Sequence, residues 1–320
     1  MMESRISSIL VNEAATSVAR ELMKYLVECY GKGVLSGQQD YGNLNWINEN
    51  TGRKPAVIGF DLMDYSPSRT DRGATSQEIR DAIAWHQQGG IVTLCWHWNA
   101  PTHLIDEPGK EWWRGFYTDA TTYNLDSALA HPESQEYTLL IRDIDTIAVH
   151  LQELKNAGVP VLFRPLHEAE GGWFWWGVKG PEPAKQLYRL LYDQLVNKYK
   201  LGNLIWVWNS EKPEWYPGDD MVDIVSVDVY PAAGDHSPLA QRYGDLRELV
   251  NDSKIIALAE NGSIPDPKQM KEQGVHWSWF CTWTGEFLRG GNHNEIAYLK
   301  EVYNSEDVIT LDQLPKWSWR

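Results

Sequence analysis

Two glutamates, each placed after a short apolar run, could work as a catalytic pair. Glu168 follows an apolar run at 159–164, and Glu260 ends another at 254–260. Two carboxyl groups facing each other across a cleft suit hydrolysis of a glycosidic bond, with retention at a separation of about 5–5.5 Å and inversion at about 6.5–9.5 Å. A single glutamate in such a place is more often a salt-bridge or capping residue. Two of them, among tryptophans and histidines and without a metal-ligand cluster in the sequence, favour catalysis.

These glutamates belong to a series of apolar, β-branched runs of strand length. Eight candidate strands occur, at 34–35, 56–61, 90–98, 159–164, 204–208, 222–228, 254–260 and 276–283. Helical patterns separate them, at 77–88, 134–154, 183–199, 239–250, 266–273 and 294–303. Near-continuous apolar strands are typical of a parallel sheet covered on both faces. The alternation predicts an α/β fold, a (β/α)8 TIM barrel. A doubly wound open sheet is the alternative, but no G-x-G-x-x-G loop follows the first strand.

The residues that follow the candidate strands should meet at one rim, because the strands of such a barrel are parallel. In chain order they are Gln38, Asp61, His97, Asn99, Arg164, His167, Glu168, Asn209, Asp228, Tyr230, Glu260 and Trp283. Polar and aromatic groups that would be costly in a barrel core thus converge on one concave mouth. Glu168 and Glu260 follow the fourth and seventh strands, so we expect them to face each other across it.

The composition excludes some partners and favours another. The chain has 320 residues, with 29 Lys and Arg against 44 Asp and Glu and a net charge of −15. It therefore lacks the basic footprint that nucleic acids and anionic membrane surfaces attract, and no stretch approaches the ~18 apolar residues of a membrane span. Seventeen tryptophans stand against six phenylalanines, a surplus that favours flat, amphipathic surfaces held for a ligand.

The chain is predicted to be one catalytic domain, 1–320, because no linker, repeat or low-complexity tract divides it. Apolar residues at helical spacing predict an N-terminal amphipathic helix at 1–32 that packs on the barrel, without the features of a signal peptide. The spacer 100–131 is long enough to be functional. Three cysteines share no metal-ligand spacing and are expected to be free thiols: Cys29, Cys95 and Cys281.

One stretch of the sequence carries a specific resemblance. Residues 164–168 read Arg-Pro-Leu-His-Glu and residues 172–177 read Gly-Trp-Phe-Trp-Trp-Gly. This stretch resembles the acid/base signature of family 26 glycoside hydrolases, which are mostly endo-β-1,4-mannanases. Segments 34–37, 204–207, 222–225 and 260–262 and the strand at Asp61 support the similarity, which covers nearly the whole chain. The resemblance implies a (β/α)8 barrel that hydrolyses with retention and has catalytic glutamates on strands four and seven.

The family pattern, placed on this sequence, makes Glu168 the general acid/base and Glu260 the nucleophile. The resemblance implies Tyr230 as a hydrogen-bond donor to the nucleophile, Trp173 beside the cleaved bond and Trp283 under the sugar ring before it. The alternative is a structural salt bridge for Arg164 and a core histidine for His97. For Trp176 it is packing, and for Trp112 and Trp113 it is a role in holding their loop. The full set of substrate-binding residues implied is His97, Asn99, Trp112, Trp113, Arg164, His167, Trp173, Trp176, Tyr230 and Trp283.

The resemblance implies an endo-acting retaining hydrolase that cleaves β-1,4-mannosidic bonds in mannan, glucomannan or galactomannan by double displacement. The alternatives are a retaining endo-β-glucanase or β-1,3-xylanase and, from a different class, a non-catalytic carbohydrate-binding barrel. Thr284 stands where an arginine is common in bacterial members, and this departure bears on the preferred backbone. The expected partner is a neutral polysaccharide, with no cofactor and no metal. The expected protein is a secreted monomer whose leader is not in this sequence.

Overall fold

Eight parallel strands close into a barrel in the computed structural model, which describes residues 6–318. In chain order they are β1 (Gly37–Gln39), β2 (Val57–Asp61), β3 (Ile91–Cys95), β4 (Val161–Arg164), β5 (Leu204–Asn209), β6 (Ile224–Val229), β7 (Ile256–Asn261) and β8 (Phe280–Thr282). Each strand pairs with its successor, and Gln38 paired with Thr282 joins β1 to β8. The predicted (β/α)8 barrel is therefore confirmed.

Helices alternate with the strands around the outside of the barrel. They are α1 (Ser17–Cys29), α2 (Leu44–Thr51), α3 (Pro67–Thr70), α4 (Glu78–Gln87), α5 (Leu125–Ala130), α6 (Gln135–Asn156), α7 (Pro181–Tyr192), α8 (Ala240–Leu249), α9 (Pro267–Gln273), α10 (Glu286–Arg289) and α11 (Ile296–Tyr303). The longest, α6, starts after the predicted cap Ser134, whose side chain accepts a hydrogen bond from the Tyr137 N–H. Within residues 6–318, none of these helices has both the length and the hydropathy that crossing a bilayer requires.

Successive side chains of each strand point to opposite faces of the barrel wall, so the apolar residues form two separate cores. Val57, Leu162 and Ile205 belong to the inner cluster that fills the barrel, whereas Ile58 and Phe163 belong to the outer cluster beneath the helices. Because both faces are buried, the strands are apolar at odd and even positions alike. Four side chains of α1 join the inner cluster, so this helix packs on the barrel: Ala19, Leu22, Met23 and Leu26.

The position predicted for the first strand is wrong. Val34–Leu35 pairs with Val308–Ile309 in a separate two-stranded sheet, and the polar segment Gly37–Gln39 takes its place in the barrel. Gly37 permits this arrangement, because a Cβ atom there would overlap the carbonyl oxygen of Phe280 on β8. The close approach of two backbones, rather than hydrophobicity, places β1.

The N-terminal helix is shorter than predicted. Residues 1–5 lie outside the described residues, residues 6–16 are not helical, and α1 begins at Ser17 with Thr16 as its N-cap. The backbone donors before α1 bond to other parts of the fold instead. The Val11 N–H donates to the Asp223 carboxylate at 2.8 Å, and the Thr16 N–H donates to the Gly202 carbonyl at 2.7 Å. These long-range hydrogen bonds override the helical spacing of the apolar residues.

Gly37→Ala should destabilise the barrel, because the added methyl group meets backbone atoms of β8 that cannot move aside. We expect the free energy of unfolding to fall by about 1–3 kcal/mol, seen as a lower melting temperature in calorimetry. Gly244→Ala is the matched control, since Gly244 lies inside α8 and no atom lies within 4 Å of an added Cβ. Ala at that position should instead stabilise the protein by about 0.5–1 kcal/mol. Equal melting temperatures for the two variants would contradict the account of β1.

Candidate active site

The carboxyl ends of the strands bring three carboxylates together. One oxygen of each of Glu168, Asp228 and Glu260 lies within 4.8 Å of the other two. Glu168 comes shortly after β4, Asp228 lies on β6 and Glu260 lies on β7. The two glutamates predicted as a pair therefore lie close together at one rim of the barrel. Asp228, a rim residue to which the sequence assigned no role, is the third member of the cluster.

A β-bulge in β7 turns Glu260 toward the barrel. Val227 pairs with Leu258, but the next residue of β6, Asp228, pairs with Glu260, so that Ala259 is an extra residue in β7. Side chains alternate between the two faces of a regular strand, and Leu258 packs in the outer core. Regular alternation would therefore point Glu260 outward as well. The extra residue reverses the alternation and places this carboxylate in the barrel mouth.

A buried arginine joins two of the three carboxylates. Arg164 donates from Nη1 to Asp228 Oδ2 at 2.6 Å and from Nη2 to Glu260 Oε1 at 2.5 Å. Burial alone would lower the pKa of Arg164, but the charges of Asp228 and Glu260 outweigh it and hold that pKa well above its usual range. The guanidinium is thus a fixed cation at the centre of the site. Loss of the guanidinium would leave two buried acids without a cation between them.

Hydrogen bonds fix the orientation of the other carboxylate oxygens. The Tyr230 hydroxyl donates to Glu260 Oε2 at 2.5 Å. Burial and the charge of Glu260 raise the pKa of Tyr230, so the phenol keeps its proton and remains a donor. Asn209 links the other two acids, because its amide donates to Asp228 Oδ1 and its carbonyl oxygen accepts from the Glu168 N–H, both at 2.9 Å. The sequence placed Asn209 at the rim but assigned it no role.

Glu168 combines a strained backbone with a raised pKa. Its φ is 53° and that of Leu166 is 54°, the left-handed region that costs a residue with a side chain about 1–3 kcal/mol. Its Oε2 accepts a hydrogen bond from the Trp173 indole N–H at 2.8 Å. Burial and the charge of Glu260 raise the pKa of Glu168, and the hydrogen bond from Trp173 opposes part of this rise. Glu168 therefore keeps its proton to a higher pH than an ordinary glutamate, as a general acid requires.

Two histidines and Asp61 form a chain beside the carboxylates. Asp61 Oδ2 lies 2.5 Å from His97 Nδ1, and His97 Nε2 lies 3.2 Å from His167 Nε2. Burial lowers the pKa of His97, but the charge and hydrogen bond of Asp61 outweigh it, so the pKa is raised. Burial and the charge of His97 lower the pKa of His167 well below its usual value. His97 thus holds a proton more readily than His167 does, and the His97 ring lies 5.9 Å from that of Trp283. Since His167 is fully buried, its geometry favours orientation over contact with a sugar.

Comparison with known proteins places this barrel in a family. The family model described as glycosyl hydrolase family 26 matches residues 11–313. The chain belongs to glycoside hydrolase family 26. The segments that carried the resemblance in the sequence all lie within the matched span, and the resemblance is confirmed.

Curated relatives of this family 26 chain are similar to it along nearly its whole length. It is 50% identical over 98% of its residues to a mannan endo-1,4-β-mannosidase of Thermothelomyces thermophilus. It is 35% identical over 99% of its residues to mannan endo-1,4-β-mannosidase A of Piromyces sp. The chain covers 65% and 52% of these two proteins, so it spans about half to two thirds of the curated relatives it matches.

Solved structures agree with this assignment. The Podospora anserina GH26-CBM35 β-(1,4)-mannanase aligns with a TM-score of 0.97 at 50% identity, over 99% of this chain and 71% of that one. A β-mannanase from a symbiotic protist of the termite Reticulitermes speratus, complexed with a gluco-manno-oligosaccharide, aligns with a TM-score of 0.89 at 33% identity. That alignment covers 99% of this chain and all of the other.

Exposed tryptophans line the mouth of this family 26 barrel. Trp173 is 49% exposed and Trp113 is 48% exposed. The loop after β3 carries Trp113 next to Trp112, and side chains beneath it hold its backbone. Asn99 donates to the Trp112 carbonyl at 2.9 Å, and Arg69 donates to the Trp113 carbonyl. The Arg69 guanidinium also lies over the Trp112 ring at 5.7 Å, so Trp113 offers the freer face to a ligand.

Besides His167, two further residues predicted to bind substrate are fully buried in the structure, and their contact with substrate stays a prediction. Trp176 is fully buried, stacks on Phe174 with 4.5 Å between ring centroids, and donates its indole N–H to the His167 carbonyl. Asn99 is also fully buried, and its amide group donates to Ser68 and to the loop backbone. Trp176 thus supports His167, and Asn99 supports the loop that carries Trp112 and Trp113. Both act from beneath the surface.

Two side-chain clusters have the composition of metal ligands: Asp61, Cys95 and His97, and Glu168, Asp228 and Glu260. In the second cluster the Arg164 guanidinium already provides the cation between two carboxylates. In the first cluster the Asp61 carboxylate already bonds to His97 Nδ1, and burial raises the pKa of the Cys95 thiol well above its usual range. The residues in both places therefore favour a charge network made of protein groups.

Trp173→Phe should raise the pKa of Glu168. The substitution keeps an aromatic ring but removes the indole N–H, which stabilises the ionised carboxylate and so lowers its pKa. The measurement is a 13C NMR titration of the Glu168 carboxyl group, assigned by its loss in Glu168→Gln. Trp113→Phe is the control, because Trp113 is equally exposed and lies on another loop. An unchanged or lowered pKa in Trp173→Phe would contradict the role given to this hydrogen bond.

Proposed function

We propose that this chain is an endo-acting retaining hydrolase that cleaves β-1,4-mannosidic bonds in mannan, glucomannan and galactomannan. The observation that carries the proposal is the separation of the two glutamates, whose nearest oxygens lie within 4.8 Å. Oxygens this close fit the about 5–5.5 Å of retaining sites better than the about 6.5–9.5 Å that leaves room for a water in inverting sites. The mannan endo-1,4-β-mannosidases at 50% and 35% identity support the choice of sugar.

The proposed reaction has two steps. In the first, Glu260 attacks the anomeric carbon while Glu168 gives its proton to the leaving oxygen. The bond to the leaving sugar breaks as the ester bond to Glu260 forms. In the second step the ionised Glu168 takes a proton from water, which attacks the same carbon and releases Glu260. Two inversions at one carbon leave the β configuration unchanged.

The surroundings of the two carboxyl groups support this division of roles. The raised pKa of Glu168 suits a group that must hold a proton until the bond breaks. Glu260 accepts hydrogen bonds from Arg164 and Tyr230 on its two oxygens, and both donors stabilise the anion that attacks. These bonds also aim the carboxylate before substrate arrives, which reduces the reorganisation needed at the transition state.

A neutral polysaccharide fits the rest of the mouth. It offers no charge, so ring stacking and hydrogen bonds to hydroxyl groups must hold it. Trp113 and Trp173 expose ring faces, and Trp283 is half-buried beside His97. Stacking faces on loops from different strands suit an internal cut in a long chain. A hemicellulose polymer is too large to enter a cell, and we therefore propose a secreted enzyme. We also propose that it works as a monomer, since one chain supplies the closed barrel and all three carboxylates.

One assay compares this proposal with its alternatives. Reducing-sugar release is measured on mannan, glucomannan, mixed-linkage β-glucan and xylan under the same conditions. We expect the fastest release from mannan and glucomannan. Faster release from mixed-linkage glucan or xylan would contradict the proposed substrate but not the proposed retaining mechanism. No release from any polymer would favour a carbohydrate-binding barrel without activity.

Glu168→Ala and Glu260→Ala should each lose at least about 10³-fold in turnover on β-mannan, because each removes a group needed in both steps. An activated aryl β-mannobioside separates the two roles, since its leaving group needs no proton. Glu168→Ala should form the glycosyl-enzyme from this substrate at a rate close to wild type, whereas Glu260→Ala should not. Glu153→Ala, on the exposed face of α6, is the control. Near wild-type turnover on mannan in either active-site variant would overturn the assignment.

A further inference from the structure

A pocket of about 430 Å³ opens beside Glu168, within the size range of small-ligand sites. Three consecutive strands supply its wall through the residues at and after their carboxyl ends. Glu168 and Trp173 follow β4, Asn209 and its neighbours follow β5, and Asp228 and Tyr230 belong to β6 and the segment after it. The rest of the wall comes from Glu170, Gly171, Ser210, Glu211, Lys212, Val227 and, from α8, Arg242.

The topology of the barrel assigns this pocket to one half of the mouth. His97 and Trp283, which lie together after β3 and β8, belong to the other half, and neither lines the pocket. Of the three carboxylates, Glu168 and Asp228 line the pocket and Glu260 does not. The proposed acid, Glu168, lines the pocket and must reach the oxygen of the departing sugar. The pocket is therefore on the leaving-group side of the cleaved bond.

An ion pair stands in the pocket wall. Arg242 Nη1 lies 2.5 Å from Glu211 Oε1, and the Glu211 side chain is only 13% exposed while that of Arg242 is 41% exposed. The Glu211 carboxylate, which is largely buried, thus fixes the position of Arg242. Arg242 lines the pocket, and its other guanidinium N–H groups remain as donors. Nothing in the proposed chemistry uses either residue.

The charges and the aromatic face of the pocket define the chemistry of its occupant. Four carboxyl groups line it, from Glu168, Glu170, Glu211 and Asp228, against two cations, Lys212 and Arg242. Asp228 pairs with Arg164, Glu211 pairs with Arg242 and the pKa of Glu168 is raised, so the pocket has little unpaired charge with which to attract an ionic sugar such as a uronate. The half-exposed ring of Trp173 offers a stacking face for a neutral sugar.

We propose that Arg242, oriented by Glu211, is the hydrogen-bond donor of a leaving-group subsite for a neutral sugar residue stacked on Trp173. Arg242 is the contact residue of this subsite and Glu211 is its positioning residue. The inference rests on the proposed function, since it names the part of the same cleft that receives the departing chain. It adds a determinant of where along the polymer the enzyme cuts.

The test compares Arg242→Ala and Glu211→Gln with wild type on mannohexaose labelled at its reducing end. Loss of a charge-assisted hydrogen bond should lower kcat/KM about tenfold. The cuts should also shift toward the reducing end, so that fewer sugars occupy the weakened side. Activity on an aryl β-mannobioside should change less than about twofold, because its leaving group contains no sugar hydroxyl for Arg242 to bind.

Arg247→Ala is the matched control, because Arg247 lies on the same helix, pairs with Asp252 and does not line the pocket. A product pattern in Arg242→Ala identical to that of Arg247→Ala would overturn the proposal. Equal losses on mannohexaose and on the aryl substrate would do so too, since they indicate general damage to the site. Arg242→Lys adds a further readout, because it keeps the charge but loses the planar fork, and it should recover only part of the lost kcat/KM.

Failure of the proposed function would be visible separately, in the wild-type protein. If wild type cleaves none of the four polymers, the subsite is tested by saturation-transfer NMR with mannobiose and cellobiose. Binding to wild type and Arg247→Ala but not to Arg242→Ala would support the subsite in the absence of turnover. Equal binding to all three proteins, or none to wild type, would overturn it.

Discussion

The site depends on one buried guanidinium. Three carboxylates with oxygens within 4.8 Å of one another would repel each other strongly in a poorly solvated barrel mouth. Arg164 makes the cluster possible because it bonds to Asp228 and Glu260 at the same time and holds its charge at all relevant pH values. Burial raises the pKa of Glu168, which lacks this contact, and also that of Asp228 in spite of its bond to Arg164. Glu260 accepts hydrogen bonds from both Arg164 and Tyr230, whereas Glu168 accepts from neither, so the two glutamates have the different surroundings that acid/base and nucleophilic chemistry require.

The barrel supplies the distances that this arrangement needs. Arg164 ends β4, Asp228 lies on β6 and Glu260 lies on β7, so closure of the sheet brings them together from separate parts of the chain. The bulge at Ala259 is equally necessary, because without it the alternation of β7 would turn Glu260 away from the guanidinium. The strained backbone at Glu168 is connected to the same network. Asn209 fixes that backbone and also binds Asp228, which links the geometry of the acid to that of the ion pair.

Most of the barrel strands and the rim residues could be predicted from the sequence, because short apolar runs indicate them locally. Seven of the eight barrel strands overlap apolar runs, and the rim residues follow from where those runs end. The first strand could not be predicted, since Gly37–Gln39 is polar and is placed by the close approach of β8. Buried Trp176 and exposed Trp173 lie three positions apart in one motif, and only tertiary packing distinguishes them. The bulge and the opposite pKa shifts of His97 and His167 depend on neighbours distant in sequence, and no local pattern indicates them.

The central claim is that Glu260, held by Arg164 and Tyr230, becomes the covalent nucleophile although Asp228 and Glu168 lie beside it. The most direct test is to trap the glycosyl-enzyme with an activated 2-fluoro β-glycoside of the sugar that the protein hydrolyses best, and to map the modified peptide by mass spectrometry. We expect one glycosyl unit in ester linkage to Glu260. Modification of Asp228 or Glu168 instead, or turnover of this substrate without any modified peptide, would contradict the account.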